Sequence, residues 1–428
     1  MLIECPSTID ERLVVDSPVR VSRDDFPEGW VPHPLPAYPK GFTKELFVLP
    51  EHQVRLSSVV NPHPLDECIV FDEGPHIYYL NGEPASVSCT ALVHDFCNEF
   101  DADKAILMMR GSRNWPRAQY THTDGLQWRI VGGQAAVQLL EMIRCGEKVP
   151  HETQSATNRI NESPDDLDAC IEAFKCMLRS GVFGAEQKRD WLQRVVYTDD
   201  EIRECWRLNT EDACAKGTWF HLQCELWLNR DACHLDWHEM GLFLIYIGHL
   251  EELGVKLYRT EWEVFSLDHD IAGSVDFVGI YKSGPHEGKL MLADWKRSKD
   301  LRNKRKDKFN AMMKEPLHRL PDSSLGHYAI QLNVYKYLLQ LNYGFQVEGL
   351  EVVCCHTDNG QAPFIYECPD MQPVVHYLMA RQRLCHIERI CARKSITRAD
   401  EIDRTVASAV QNLQNAKKAL NDFDWPEI

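Results

Sequence analysis

The chain of 428 residues carries 64 acidic against 47 basic side chains, a formal net charge of −17, which excludes a surface coated throughout in nucleic acid but allows a local basic groove. Hydrophobic residues at 44% and charged residues at 26% fit a soluble globular protein with one large core or two moderate ones. No apolar run reaches membrane-spanning length, and sixteen scattered cysteines without a signal peptide argue against a secreted disulfide framework and for free thiols in a reducing compartment.

Residues 1–63 are proline-rich, with Pro27, Pro32, Pro34, Pro36 and Pro39, and read as an extended arm. Glu4, Asp10 and Glu11 make this stretch a poor mitochondrial transit peptide, so the expected place is intracellular, nucleus or cytoplasm rather than mitochondrion. A strand pair follows at Cys68–Phe71 and His76–Leu80, with Asn81-Gly82 as a turn signal. Ser86-Val87-Ser88 leads into a helix over Thr90–Phe96, and Asp101–Met109 continues as helix. These elements, residues 64–110, are expected to pack on the core. Residues 111–210 read as a helical insertion, with helices at Gln134–Ile143, Asp165–Ser180 and Asp199–Leu208 and a polar loop at 151–163.

The chemistry-bearing part spans 211–395. Helices are expected at Gly217–Leu228 and Asp236–Leu253, then strands at Leu257–Ser266, Asp270–Tyr281 and Lys289–Trp295. Helix Tyr328–Leu341, strands Val347–Cys355 and Phe364–Glu367, and helix Asp370–Ile390 follow. Residues 396–428 form a helical tail. Helices flanking a short mixed sheet define an α/β core.

Within it, Asp294-Trp295-Lys296 ends the apolar run Leu290–Ala293. Side chains two apart on a strand share a face, so Asp294 and Lys296 project together. Gly284-Pro285 and Gly288 mark a turn that folds Asp276 back alongside Asp294. Two carboxylates and an ammonium on one sheet face suit a divalent cation and a positioned water.

Five motifs occur in order: Gly217-Thr218-Trp219-Phe220-His221 with Glu225, Glu261-Trp262-Glu263, Gly273–Gly279 with Asp276, Asp294-Trp295-Lys296, and Gln331-Leu332-Asn333-Val334-Tyr335. This succession, over residues 211–345, resembles the RecB-like exonuclease branch of the PD-(D/E)xK nuclease superfamily. The portion around Asp276 to Lys299 is also similar to the mitochondrial genome maintenance exonucleases. The resemblance implies a restriction-endonuclease-like core and hydrolysis of DNA phosphodiesters at single strands or duplex ends, with RNA as the alternative substrate. Asp276 and Asp294 would hold Mg2+ or Mn2+, and His221 as a further ligand would favour Mn2+. Lys296 would orient or help deprotonate the attacking water and offset transition-state charge. Gln331 and Tyr335, one turn apart, would brace the Asp–Lys strand or touch the nucleic-acid backbone. Glu225 and Glu263 are candidates for supporting the metal ligands. The consensus proline before the first acid is replaced by Val275.

Eight of the thirteen residues from Lys296 to Lys308 are basic. Arg297, Lys299, Arg302, Lys304, Arg305, Lys306 and Lys308 form a candidate phosphate-binding path beside the site. Some RecB-like nucleases hold an iron–sulfur cluster. The downstream cysteines here, Cys354, Cys355, Cys368, Cys385 and Cys391, contain no CxxC pair, so no cluster is expected. No Walker A sequence occurs, so a motor would be a separate chain.

Overall fold

The computed structural model describes residues 55–120, 128–130, 192–194, 196–231, 233–235, 237–299, 301–303, 311–393 and 399–426. The expected helices at Gln134–Ile143 and Asp165–Ser180 lie outside these residues, as does most of the expected N-terminal arm. The chain divides into two compact units, with boundaries at Glu99/Phe100 and Thr210/Glu211.

The first unit is α/β. In chain order it contains α1 (Leu56–Val60), β1 (Ile69–Asp72), β2 (Ile77–Leu80), β3 (Glu83–Pro84), β4 (Val87–Ser88) and α2 (Cys89–His94). The second unit contains α3 (Ala102–Arg110), the antiparallel pair β5 (Trp128–Ile130) and β6 (Leu192–Arg194), and the start of α4 (Asp199–Leu228). The first unit resumes within α4 and continues through α5 (His238–Glu252), β7 (Val255–Ser266), β8 (Ile271–Tyr281), β9 (Leu290–Lys296), α6 (Ser324–Asn342), β10 (Val347–Cys354), β11 (Phe364–Glu367), α7 (Gln372–Arg393) and α8 (Ala399–Asn421).

Six strands form a mixed sheet in the order β11-β10-β9-β8-β4, with β7 also paired to β8. Neighbours are antiparallel except β9 with β10 and β4 with β8. The β8–β9 turn uses Gly284 and Gly288 at φ of +85° and +80°, a backbone region where a side chain is strained. The sheet is covered on both faces, which explains its nearly continuous apolar strands. On one face Met291, Ala293 and Trp295 pack with Phe277 and with Phe220, Phe243 and Tyr246 of α4 and α5. On the other, Leu290 and Leu292 pack with Leu332, Leu338 and Leu339 of α6 and with Val375 and Leu378 of α7. The strand period of two therefore places Asp294 and Lys296 on the α6 side.

Three elements differ from the sequence reading. Residues 55–60 are not extended: α1 is helical, and Ser57 and Asn61 at its end are buried. Polar bonds hold it, with Ser57 N donating to Asn229 Oδ1 at 3.0 Å and Asn61 Nδ2 to the Tyr258 carbonyl at 2.8 Å. Leu56 and Val60, one turn apart, also pack on the core, but five residues are too few for a helical period to be read. The expected helices at Asp199–Leu208 and Gly217–Leu228 are one helix of 30 residues, α4; an interior glycine costs a helix only about 1 kcal/mol. In the second unit, α3 belongs with residues 100–210 rather than with the core, because Ile106 and Met109 pack on Tyr120 and Ile202. That unit also contains strands as well as helices.

Candidate active site

One edge of β8 pairs with β7 along its whole length. The other edge is shared: β4 takes Ile271 and Ala272, and β9 takes Phe277 to Ile280. Between them the ladder opens at Gly273–Asp276. Continuing the β8–β9 register would set Asp276 opposite Asp294, but the main-chain pairing stops at Phe277–Ala293. The Asp276 side chain takes the place of the next main-chain acceptor, and its Oδ2 receives the Trp295 N–H at 2.8 Å. Two carboxylates thus face each other where two strands part.

The other side chains converge on this opening. Lys296 Nζ lies 2.7 Å from Asp294 Oδ2, and 4.7 Å from the centre of the Tyr328 ring on α6, a cation–π distance. From α4, His221 Nδ1 lies 3.4 Å from Asp276 Oδ2. Glu261 on β7 joins them: one ligand atom each of His221, Glu261 and Asp276 lie within 4.8 Å of one another. Glu261 has φ +42°, uncommon for a residue with a side chain and often associated with functional strain. It faces β8 between the paired positions Thr260–Phe277 and Trp262–Val275, and accepts from Ser274 Oγ at 3.0 Å.

The acids outnumber the bases. Burial first, then the charge of Asp294, pushes Asp276 up to about 7. Burial first, then the charge of Asp276, pushes Glu261 up to about 7. His221 is lowered by burial and by Lys296, which favours the neutral imidazole a metal requires. Burial opposes the charge on Lys296, but Asp294 and Asp276 outweigh it and hold the ammonium above its ordinary value. An imidazole and buried carboxylates that repel one another form a donor set that a divalent cation satisfies.

The remaining sequence candidates have different surroundings. Glu225, one turn after His221, accepts from Arg55 Nε, and Arg55 Nη1 is 3.7 Å from Glu263. Glu225 and Glu263 are therefore bound to a guanidinium, while Glu261 enters the ligand group. Gln331 Nε2 donates to Tyr335 Oη at 2.9 Å. The Tyr335 ring is buried against β8: a Cβ on Gly273 would fall 2.8 Å from Tyr335 Cε1. Gly273 is thus required by close approach, and Tyr335 braces the strand that carries Asp276.

Arg297 turns inward. Its side chain is 10% exposed and its Nε donates to the fully buried Glu239 at 3.0 Å, so it anchors β9 to α5 rather than lining a phosphate path. Lys299 is exposed, 3.7 Å from Asp358, and the exposed Arg302 lies over the Phe364 ring. Lys304, Arg305, Lys306 and Lys308 lie outside the described residues.

Glu261, Tyr328 and Arg55 are the site residues that the sequence reading missed. Glu261 stood in a motif already singled out, and Tyr328 precedes Gln331 by three positions on the same helix face. Arg55 carries no local signal. The chain matches no protein-family model and no curated protein. No helix among the described residues is long and apolar enough to cross a membrane.

Proposed function

We propose that the protein is a divalent-metal-dependent nuclease that hydrolyses DNA phosphodiesters, built on a restriction-endonuclease-like core with residues 111–210 as an insertion. The observation that carries this reading is the convergence of Asp276, Asp294, Lys296, His221 and Glu261 where β8 and β9 part. The antiparallel succession β7-β8-β9, followed by α6 and the parallel strand β10, supports the fold.

Asp276, Glu261 and His221 would hold Mg2+ or Mn2+, with Asp294 across the opening. The bound cation would supply Lewis-acid polarisation of the scissile phosphate and a lowered pKa for attacking water. Trp295 N–H fixes the Asp276 carboxylate. Lys296 is charged at neutral pH, which assigns it to orienting the water and offsetting charge on the phosphorane-like transition state, rather than to accepting a proton. Tyr328 holds that ammonium over its ring face. Gln331, beside it on α6, presents a polar edge toward a phosphate or sugar.

The test is digestion of labelled single-stranded DNA, duplex DNA and RNA in Mg2+, in Mn2+ and in chelator. The expected result is DNA cleavage in either metal and none in chelator. Binding without turnover in Mn2+ would replace the nuclease by a binding module. Cleavage confined to RNA would move the activity to RNA processing.

A further inference from the structure

A second group of ligand-type side chains joins the end of α2 to the start of α6. Cys97 Sγ, an Asp322 carboxylate oxygen and a His327 ring nitrogen lie within 4.8 Å of one another. His327 Nε2 is 2.6 Å from Asp322 Oδ1 and 3.2 Å from Cys97 Sγ. A nucleophilic cysteine activated by a His–Asp pair needs thiol and carboxylate on different ring nitrogens. Here both meet the same nitrogen, which can carry only one proton, so the group is no relay. Nitrogen, oxygen and sulfur instead converge on one small volume, as they do around a metal ion.

The surroundings hold that arrangement in place. Asp322 Oδ2 receives Asn98 N and Asn98 Nδ2, both at 2.7 Å. The carboxylate is thereby clamped with Oδ1 turned to the group, the outer support characteristic of metal ligands. His94 lies three residues before Cys97, and its ring centre is 6.1 Å from that of His327. His-x2-Cys from one element and Asp-x4-His from another is ligand-pair spacing. A thiolate, imidazoles and one carboxylate suit tetrahedral Zn2+ better than Mg2+ or Ca2+.

We infer that Cys97, Asp322 and His327 form a zinc site, with His94 placed to close it as the fourth ligand. Zinc enters as the Cys97 thiol proton leaves to solvent, and no redox change is needed. The ion staples segments 230 residues apart in sequence and fixes the first turn of α6. The next residue after His327 is Tyr328, which touches Lys296. A cavity of about 190 Å³ is lined by His94 and His327 as well as by Tyr328 and Gln331. The inference does not depend on the nuclease reading, because the ligands are different residues.

The test uses full-length protein carrying Asp276→Asn, which removes a ligand of the other metal-binding group. After dialysis against chelator it is titrated with Zn2+ alone. One zinc per chain is expected, and loss of a ligand in Cys97→Ser or His327→Asn should weaken binding by at least about tenfold, the lower end of what even supporting residues contribute. Zinc should also slow alkylation of the unmutated Cys97, measured by peptide mass spectrometry, by about tenfold or more, because a coordinated sulfur is a poor nucleophile. Co2+ in place of zinc should give a thiolate-to-metal charge-transfer band that Cys97→Ser lacks. Absence of bound zinc, full retention of zinc by Cys97→Ser, or alkylation of Cys97 at the same rate with and without zinc would overturn the assignment. The alkylation reading needs no substitution in the site, so misfolding of a variant cannot mimic the result.

Discussion

Replacing Asp276 by asparagine is expected to make the metal-free protein more stable at alkaline pH while removing its response to metal. In the folded protein, burial and Asp294 raise the Asp276 carboxyl from 3.8 to about 7. A group whose folded pKa is raised favours the folded state at low pH and loses that contribution as pH rises through the folded value. The window is therefore about pH 4 to 7. At 1.36 kcal/mol per pKa unit, ionising Asp276 costs the native state on the order of 4 kcal/mol at pH 8. Roughly 2–3 kcal/mol of that accrues between pH 5 and pH 8. Asparagine keeps an oxygen for the Trp295 N–H and removes the charge. Urea unfolding in chelator at pH 5 and at pH 8 measures the difference. The stability advantage of Asp276→Asn over the parent should grow by about 2–3 kcal/mol across that interval. Saturating Mn2+ should narrow the gap at pH 8, adding about 2.7 kcal/mol to the parent at a hundred times its Kd and little to the variant. An advantage that stays constant with pH would show that the Asp276 carboxyl is not raised in the folded protein, and equal stabilisation of both proteins by Mn2+ would show that it does not hold the metal.

Glu261→Gln is expected to raise the Mn2+ dissociation constant by about 10–100-fold, read by calorimetric titration, whereas Glu263→Gln changes it little because Glu263 faces Arg55. Arg297→Ala should destabilise the fold by about 3–5 kcal/mol by leaving Glu239 buried and unpaired. Thermal melting checks this, and the double variant Arg297→Met/Glu239→Met should recover most of the loss. Gly273→Ala drives a methyl group into Tyr335 and Cys89. It should cost about 1–3 kcal/mol in denaturant unfolding and lower cleavage by displacing the Asp276 strand.

The strand pair that carries Asp276 and Asp294 was legible because its signals are local. An apolar run ending in Asp294-Trp295-Lys296, glycines in the turn, and an acid on each arm of a hairpin can be read without knowing the rest of the fold. The two-sided burial of the sheet also shows in its nearly unbroken apolar runs. Glu261 was not legible, since Glu261 and Glu263 look alike until a positive φ at Glu261 and the position of Arg55 separate them. Arg55 itself meets Glu225 across 170 positions of sequence, a distance at which charge pattern carries no information. Arg297 belongs to a basic run, but the strand ending at Lys296 fixes which way it faces, and that direction leads to Glu239. The helix α1 was missed because five residues are too few to show a helical period, and its polar anchors lie far away in sequence.

The proposed activity sets the Asp–Lys strand to work on a phosphodiester. Its most direct measure is single-turnover cleavage of end-labelled DNA in Mn2+ by the parent protein and by Lys296→Ala, with circular dichroism confirming that both are folded. Removing the ammonium that offsets transition-state charge should slow cleavage by about 10²–10⁴-fold while DNA binding persists. Cleavage by folded Lys296→Ala at the parent rate would show that the Lys296 ammonium takes no part in the reaction and that the site lies elsewhere.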